Sequence, residues 1–159
     1  MKRQLLAIDP GLNSLGWAYW APLRHPSLVP DRVGLIKAPR KLDLAARAVW
    51  IARSLEDECT MENRGQRFDI VSEFPAYHGS PMGWQTGDLQ KLTFLVGVLA
   101  GFFDFAKFTP VTPGEWKGQL PKSVVIQRLQ KRFGPGATRD WEKDVWDAVG
   151  IGLWKLGKF

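Results

Sequence analysis

The sequence has few of the residues that build disulfide frameworks and sulfur-based metal sites. Cys59 is the only cysteine among 159 residues, and there are only two histidines. One thiol can form neither an internal disulfide nor a zinc-binding cysteine cluster. A disulfide scaffold and a zinc ribbon are therefore excluded, and any metal site in this chain relies on carboxylate or histidine ligands.

Long hydrophobic runs are also absent. The most apolar stretch, residues 92–108, contains Thr93, Asp104 and Lys107 and is shorter than the roughly 20 apolar residues that a membrane-spanning helix needs. The first residues, MKRQLLAID, become polar too soon for the apolar core of a signal peptide. We therefore expect a cytoplasmic protein without a membrane segment.

The composition is typical of an ordered domain. Hydrophobic residues make up 45% of the chain and charged residues 24%, and there are eight tryptophans, nine phenylalanines and two tyrosines. This apolar content is sufficient for a core at this length, and it excludes a disordered or fibrous class. We expect a single domain spanning residues 1–159.

The net charge of +6 is concentrated in one segment. Residues 107–139 contain one acidic residue, Glu115, and seven basic residues: Lys107, Lys117, Lys122, Arg128, Lys131, Arg132 and Arg139. A localised basic face is the usual binding surface for a polyanion, although a solvated helix face has the same pattern.

The hydrophobic pattern predicts an α/β fold. Strands are expected at residues 4–8, 14–20, 32–36, 68–74 and 110–112, and helices at residues 42–59, 88–106, 122–133 and 140–156. The first three strands form an antiparallel meander, and the rest of the chain follows a β-α-β-α-β order. The predicted architecture is a mixed five-stranded sheet flanked by helices, which matches a ribonuclease H-like fold.

Four carboxylates occupy unusual positions in this layout. Asp9 ends the first strand, and Glu73 ends the fourth strand inside an apolar run. Asp144 and Asp147 are three residues apart and share one face of the last helix, which is apolar nearly all round. The alternatives are that Asp9 belongs to an ordinary turn and that Asp144 and Asp147 face solvent. If the last helix packs across the first strand, all four side chains meet.

Four carboxylates in one place cannot all stay ionised without cations, because like charges raise each other's pKa. All-oxygen ligands suit Mg²⁺, and Mn²⁺ can substitute for it. Two such ions about 4 Å apart activate water and stabilise the leaving oxygen in phosphodiester hydrolysis. The products would be a 5′-phosphate and a 3′-hydroxyl.

Four segments resemble the motifs of one enzyme family. AIDPGLNSLGWAYW, DIVSEFP and DVWDAVGIGLW are similar to the three acidic motifs of the RuvC-like Holliday-junction resolvases, and VTPGEWKGQLPKSVV is similar to their lysine-containing stretch. The matches occur in the family's order over almost the whole chain. The compact pattern is most similar to the phage-type members, which act in the host cytoplasm.

The resemblance assigns roles to individual residues. It implies that the metal-binding catalytic carboxylates are Asp9, Glu73, Asp144 and Asp147. It implies that Lys117 and Lys122 lie near the scissile phosphate and that the basic residues of segment 107–139 bind DNA. Gly97 and Gly101 leave a smooth helix strip, which the family places in a homodimer interface, and packing within the chain is the alternative.

The sequence also departs from the family pattern. Ala76 stands where the family has a DNA-probing phenylalanine, so that Phe74, Tyr77 or Trp84 would have to replace it. The loop between Lys117 and Lys122 is short. These departures leave the junction probe and the role of the second lysine open.

The resemblance implies a metal-dependent, structure-selective endonuclease for DNA recombination and repair, that is, a crossover junction endodeoxyribonuclease acting on four-way or other branched DNA. Two alternatives remain open. A YqgF-type RNA-processing nuclease shares the acidic DPG opening, but its second motif usually runs through a Gly-x-Pro turn that is absent at Glu73. A non-catalytic DNA-binding module would keep the basic face without the chemistry.

Overall fold

The computed structural model describes residues 4–21, 29–60, 68–76, 87–103, 106–134 and 141–159. These ranges contain five strands, β1 Gln4–Asp9, β2 Ser14–Trp20, β3 Arg32–Lys37, β4 Phe68–Glu73 and β5 Lys107–Val111. They also contain five helices, α1 Leu44–Thr60, α2 Asp88–Phe102, α3 Pro113–Trp116, α4 Lys122–Phe133 and α5 Lys143–Lys155.

The five strands form one mixed sheet in the order β3-β2-β1-β4-β5. β1 pairs antiparallel with β2, and β2 pairs antiparallel with β3. β4 is parallel to both β1 and β5. The predicted mixed sheet and its meander are therefore confirmed, and the carboxyl ends of β1, β4 and β5 lie at one edge.

Helices cover both faces of the sheet. Leu6 and Ile8 of β1 pack with α1 and α2 on one face, whereas Leu5 and Ala7 pack with α4 and α5 on the other. A strand buried on both faces is apolar at consecutive positions rather than at alternate ones. This explains why QLLAI reads as an unbroken apolar run in the sequence.

Cys59 belongs to the core of the α1 face, as its helical stripe predicts. Burial raises the pKa of its thiol to about 12, so the thiol stays protonated at neutral pH. Cys59 is thus a small packing residue rather than a nucleophile.

The fifth strand and its flanks differ from the sequence prediction. β5 begins at Lys107 rather than near residue 110. Pro110 is accommodated because β5 is an outermost strand of the sheet. This earlier start requires α2 to end at Phe102, four residues before its expected end. The short helix α3 was not predicted. It is stabilised by a capping box, in which Thr112 and Glu115 each bind the other's backbone N–H.

α2 buries one side and exposes the other. Leu95 and Leu99 are fully buried, whereas Phe94, Gly97 and Gly101 are exposed. A Cβ built on either glycine meets no atom within 4 Å. Packing against the rest of the described chain therefore does not account for these two glycines. Within the described ranges, no helix is sufficiently long and apolar to cross a membrane.

Gly152 allows α5 to lie close to the sheet, and Gly152→Ala is expected to destabilise the fold by about 2 kcal/mol. A Cβ at this position would overlap the ring of fully buried Trp20 and lie 3.1 Å from the Cβ of Ala7. Overpacking of a dense core typically costs about 1–3 kcal/mol. Urea unfolding measures the effect. Gly114→Ala is the control, because its nearest neighbour would be 3.9 Å away. Equal unfolding midpoints for the two variants would contradict this packing argument.

Candidate active site

Two strand ends and one helix bring the acidic residues to the same edge of the sheet. Asp9 ends β1 and Glu73 ends β4, and these strands are parallel neighbours. Gly16 of β2 pairs with Asp9, and a Cβ on Gly16 would overlap the backbone carbonyl of Asp144. This glycine lets the first turn of α5 rest directly on the sheet beside Asp9.

Asp144 and Asp147 project from α5 towards the first residue of α4. The ammonium of Lys122 lies 2.7 Å from Asp147 Oδ2 and 3.3 Å from Asp144 Oδ1. The Asp147 side chain is only 6% exposed, whereas those of Asp144 and Lys122 are 34% and 37% exposed. Lys122 therefore serves as the counter-ion of a carboxylate that is almost completely removed from water.

The pKa of Lys122 reflects this position. Burial lowers it, but the hydrogen bond to Asp147 and the charges of Asp147, Asp9 and Asp144 raise it more, so the pKa lies above its ordinary value. Lys122 thus remains a cation at neutral pH.

Asp144 is also held by a hydrogen bond to its other carboxylate oxygen. Ser14 Oγ donates a hydrogen bond of 2.6 Å to Asp144 Oδ2. Asp9, Asn13, Ser14 and Asp144 line an open pocket of about 290 Å³ together with the loop that follows β1. The carboxylates of Asp9 and Asp144 therefore border one solvent-accessible space.

Glu73 is held by a tryptophan. The indole Nε1 of Trp116 donates a hydrogen bond of 2.8 Å to Glu73 Oε2. Burial raises the pKa of Glu73, the Trp116 hydrogen bond and the charge of Lys117 lower it, and the charge of Asp147 raises it, with a net increase.

The pKa of Asp9 is also raised. Burial raises its pKa well above the ordinary value, and the charges of Glu73, Asp147 and Asp144 raise it further, while Lys122 lowers it. Asp9 therefore interacts electrostatically with each of the other three predicted carboxylates.

This coupling predicts a pH dependence of stability in the absence of divalent ions. Because the folded state binds the Asp9 proton more tightly than the unfolded state does, Asp9 destabilises the fold progressively as the pH rises from 3.8 through its raised folded-state pKa. In EDTA, the urea midpoint of the wild type relative to Asp9→Asn should increase as the pH is lowered from 8 to 4.5. A pH-independent difference would contradict the prediction.

The donor set suits a hard cation. Asp147 Oδ1 is buried and has no hydrogen-bond partner among the described residues, and the four side chains offer only carboxylate oxygens. Among the described residues, however, no group of three acidic, histidine or cysteine side chains is arranged to hold a metal ion. The ammonium of Lys122 binds two of the acids instead. An ion that binds Asp144 and Asp147 would compete with this ammonium.

The other predicted site residues are distributed around this edge. Lys117 lies with its Nζ 4.8 Å from the centre of the Trp116 ring, beside Glu73. Lys107, Arg128, Lys131 and Arg132 are exposed, and Phe74 is half-buried directly after β4. Tyr77, Trp84 and Arg139 lie outside the described residues.

Sequence reasoning missed three residues that shape the site. These residues are Ser14, Gly16 and Trp116, none of which the sequence analysis selected. The spacing of Ser14, five residues after Asp9 at the start of the paired strand, is the one local signal that could have found it. The Trp116 contact joins residues 43 positions apart and leaves no such signal.

Comparison by sequence and by structure gives different results. No protein-family model and no curated protein sequence matches the chain. Among solved structures, the chain is similar to Thermus thermophilus RuvC, with a TM-score of 0.70 and 16% identity over 98% of this chain and 97% of that one. It is also similar to T. thermophilus RuvC in complex with a Holliday junction substrate, with a TM-score of 0.65 and 15% identity over 96% and 91% of the two chains.

A third similar structure is the yeast mitochondrial Holliday junction resolvase Ydc2. Its TM-score is 0.62 at 11% identity, and the match covers 98% of this chain and 81% of that chain. Together these similarities confirm the RuvC-like fold predicted from the four motifs.

Proposed function

We propose that this protein is a metal-dependent endonuclease that cuts Holliday junctions and other branched DNA. The observation that carries the proposal is the convergence of Asp9, Glu73, Asp144 and Asp147 at one edge of a RuvC-like sheet. One oxygen of Asp147 is buried there and has no hydrogen-bond partner in the described part of the chain. Two of the similar structures are RuvC in complex with a Holliday junction substrate and the Holliday junction resolvase Ydc2. They support the choice of substrate.

The four carboxylates would hold the cations, Mg²⁺ or Mn²⁺. When bound as a pair, such ions activate water and stabilise the leaving 3′ oxygen, so that the products are a 5′-phosphate and a 3′-hydroxyl. The protein contributes orientation: Ser14 holds Asp144, and Trp116 holds Glu73. Lys117, and Lys122 once its acids are neutralised by an ion, would place positive charge near the scissile phosphate.

The exposed basic residues would bind the DNA backbone. Lys107, Arg128, Lys131 and Arg132 are exposed, and Arg139 belongs to the same basic segment. Phe74 or Tyr77 would stack on bases at the junction centre. Binding would weaken steeply with salt, because each neutralised phosphate releases counter-ions.

A homodimer would place two active sites on the arms of one junction. The exposed Phe94, Gly97 and Gly101 form a face of α2 that has no partner within the described chain. Sedimentation should show a dimer for the wild type and a monomer for Phe94→Glu. We further propose that the protein acts in the cytoplasm, which is a host cytoplasm if a phage encodes it.

A gel assay on a synthetic four-way junction tests the function. Paired nicks are expected in Mg²⁺, and binding without nicking is expected in Ca²⁺ or EDTA. RNA duplexes are incubated alongside. Cleavage of RNA instead of junctions would favour the YqgF-type alternative, and junction binding without cleavage in any divalent ion would favour a non-catalytic module.

A further inference from the structure

We propose that Trp116 is a positioning residue that fixes the orientation of Glu73 for cation binding. The inference rests on the proposed function, because it assigns Glu73 to the metal site. It depends on the one hydrogen bond between the Trp116 indole and Glu73, and on the packing that keeps the indole in place.

The backbone around Trp116 is built to bring it to Glu73. Val111, the last residue of β5, pairs with Glu73 on β4, and its carbonyl accepts a hydrogen bond from the backbone N–H of Phe74. The chain then turns at once into α3, whose capping box is closed by hydrogen bonds between Thr112 and Glu115. Trp116 is the last residue of this short helix, so its ring lies close to the carboxyl ends of β4 and β5, where the chain turned into α3.

The Trp116 ring has little freedom. It is 2% exposed and packs against Gly150 of α5, where a Cβ would lie 2.7 Å from ring atom Cζ3. Phe159 contacts it edge to face, with ring centroids 5.6 Å apart at 70°. These contacts direct Nε1 towards Glu73 Oε2, 2.8 Å away.

The chemistry of an indole suits this task. An indole N–H donates only, carries no charge and cannot itself bind a cation. It therefore orients Glu73 without repelling an approaching ion, unlike the ammonium of Lys122 beside Asp144 and Asp147. One Glu73 oxygen is engaged by the indole, so the other is presented to a ligand in a fixed direction. Groups that orient metal ligands in this way typically affect metal affinity or activity by about 10–100-fold.

The decisive experiment measures Mn²⁺ binding by calorimetry, without DNA. Trp116→Phe keeps an aromatic ring and removes the N–H, and it should weaken Mn²⁺ binding by about 10-fold or more. The chain offers a matched control in Trp17, which is also 2% exposed and donates to a glutamate, Glu58 Oε2, at 3.0 Å. Trp17 packs on the opposite face of the sheet, with α1. Trp17→Phe should leave Mn²⁺ affinity within about twofold of wild type.

A double-mutant cycle separates positioning from general structural damage. If Trp116 acts through Glu73, then Trp116→Phe should cause no further loss of Mn²⁺ affinity in a Glu73→Ala background. Additive losses would overturn the inference, as would wild-type affinity in the Trp116→Phe single variant. A wild-type chain that binds no Mn²⁺ would instead contradict the proposed function.

A second measurement covers the case in which Trp116→Phe does not fold. The indole ¹H–¹⁵N resonance of Trp116 in the wild-type fold should shift in Glu73→Gln and on addition of Mg²⁺, while the Trp17 resonance should not. A Trp116 indole resonance that shifts neither in Glu73→Gln nor on addition of Mg²⁺ would overturn the inference.

Discussion

Replacing Asp147 with asparagine should lower the rate of junction nicking in Mg²⁺ by roughly a thousandfold or more. Asp147 is the most deeply buried acid of the last helix, and no described residue forms a hydrogen bond with its Oδ1. Asparagine preserves the shape of the side chain but removes the charge that a divalent ion requires. Metal ions supply several kcal/mol of transition-state stabilisation, and about 4 kcal/mol corresponds to a thousandfold change in rate.

Binding and cutting should separate in this variant. Asp147 lies beneath Lys122 and contributes little exposed surface for DNA, so junction affinity in Ca²⁺ should stay within a few-fold of wild type. Asp57→Asn is the control, because Asp57 is an exposed acid of α1 on the other face of the sheet. The Asp57→Asn variant should nick junctions at the wild-type rate. Nicking at an undiminished rate by Asp147→Asn would exclude a metal-dependent mechanism at this site.

Replacing Lys122 with alanine should reduce the stability of the metal-free protein by roughly 2–3 kcal/mol. The substitution leaves the buried carboxylate of Asp147 without the ammonium 2.7 Å away, and within the described ranges its second oxygen already lacks a partner. Breaking a fully buried ion pair costs about 3–5 kcal/mol, and the partial exposure of Lys122 reduces this amount. Urea unfolding in EDTA measures the loss.

The same variant should bind Mg²⁺ about tenfold more tightly than wild type, because the ion no longer competes with a fixed positive charge. Mg²⁺ should accordingly restore more stability to Lys122→Ala than it adds to the wild type. Nicking should nevertheless become slower if Lys122 contacts the scissile phosphate. Lys131→Ala, an exposed lysine on the same helix, is the control for stability and metal affinity. Weaker Mg²⁺ binding by Lys122→Ala would show that the lysine supports the ion rather than replacing it.

These two variants test one feature of the site. In the described conformation, the ammonium of Lys122 contacts Asp144 and Asp147, which are two of the acids proposed to bind metal ions. Lys122 is the first residue of α4, and the acids that it binds project from α5. A shift of the lysine side chain alone would therefore release both carboxylates from the ammonium without moving either helix. We expect metal binding to be accompanied by this local change rather than by a rearrangement of the fold.

Much of the fold could be predicted because its signals are local. β2 and α4 have the predicted bounds, since strand propensity and helical periodicity act over neighbouring residues. The placement of Asp9 follows from Pro10 and Gly11, which stop the strand beside it. Asp144 and Asp147 share a helix face simply because they are three residues apart. The convergence of these acids could then be expected from the order of the elements.

Other properties arose only when distant segments packed together. The sequence did not indicate that Lys122, the first residue of α4, forms ion pairs with Asp144 and Asp147 of α5. Likewise, the partner of the Trp116 indole and the exposure of Gly97 depend on which surfaces neighbouring elements cover. The amino-acid order thus specified which groups are acidic and where each segment stops. Long-range packing decided which cation and which hydrogen-bond donor lie beside each carboxylate. Charges and hydrogen bonds act over a few ångströms in space, whatever the distance along the chain.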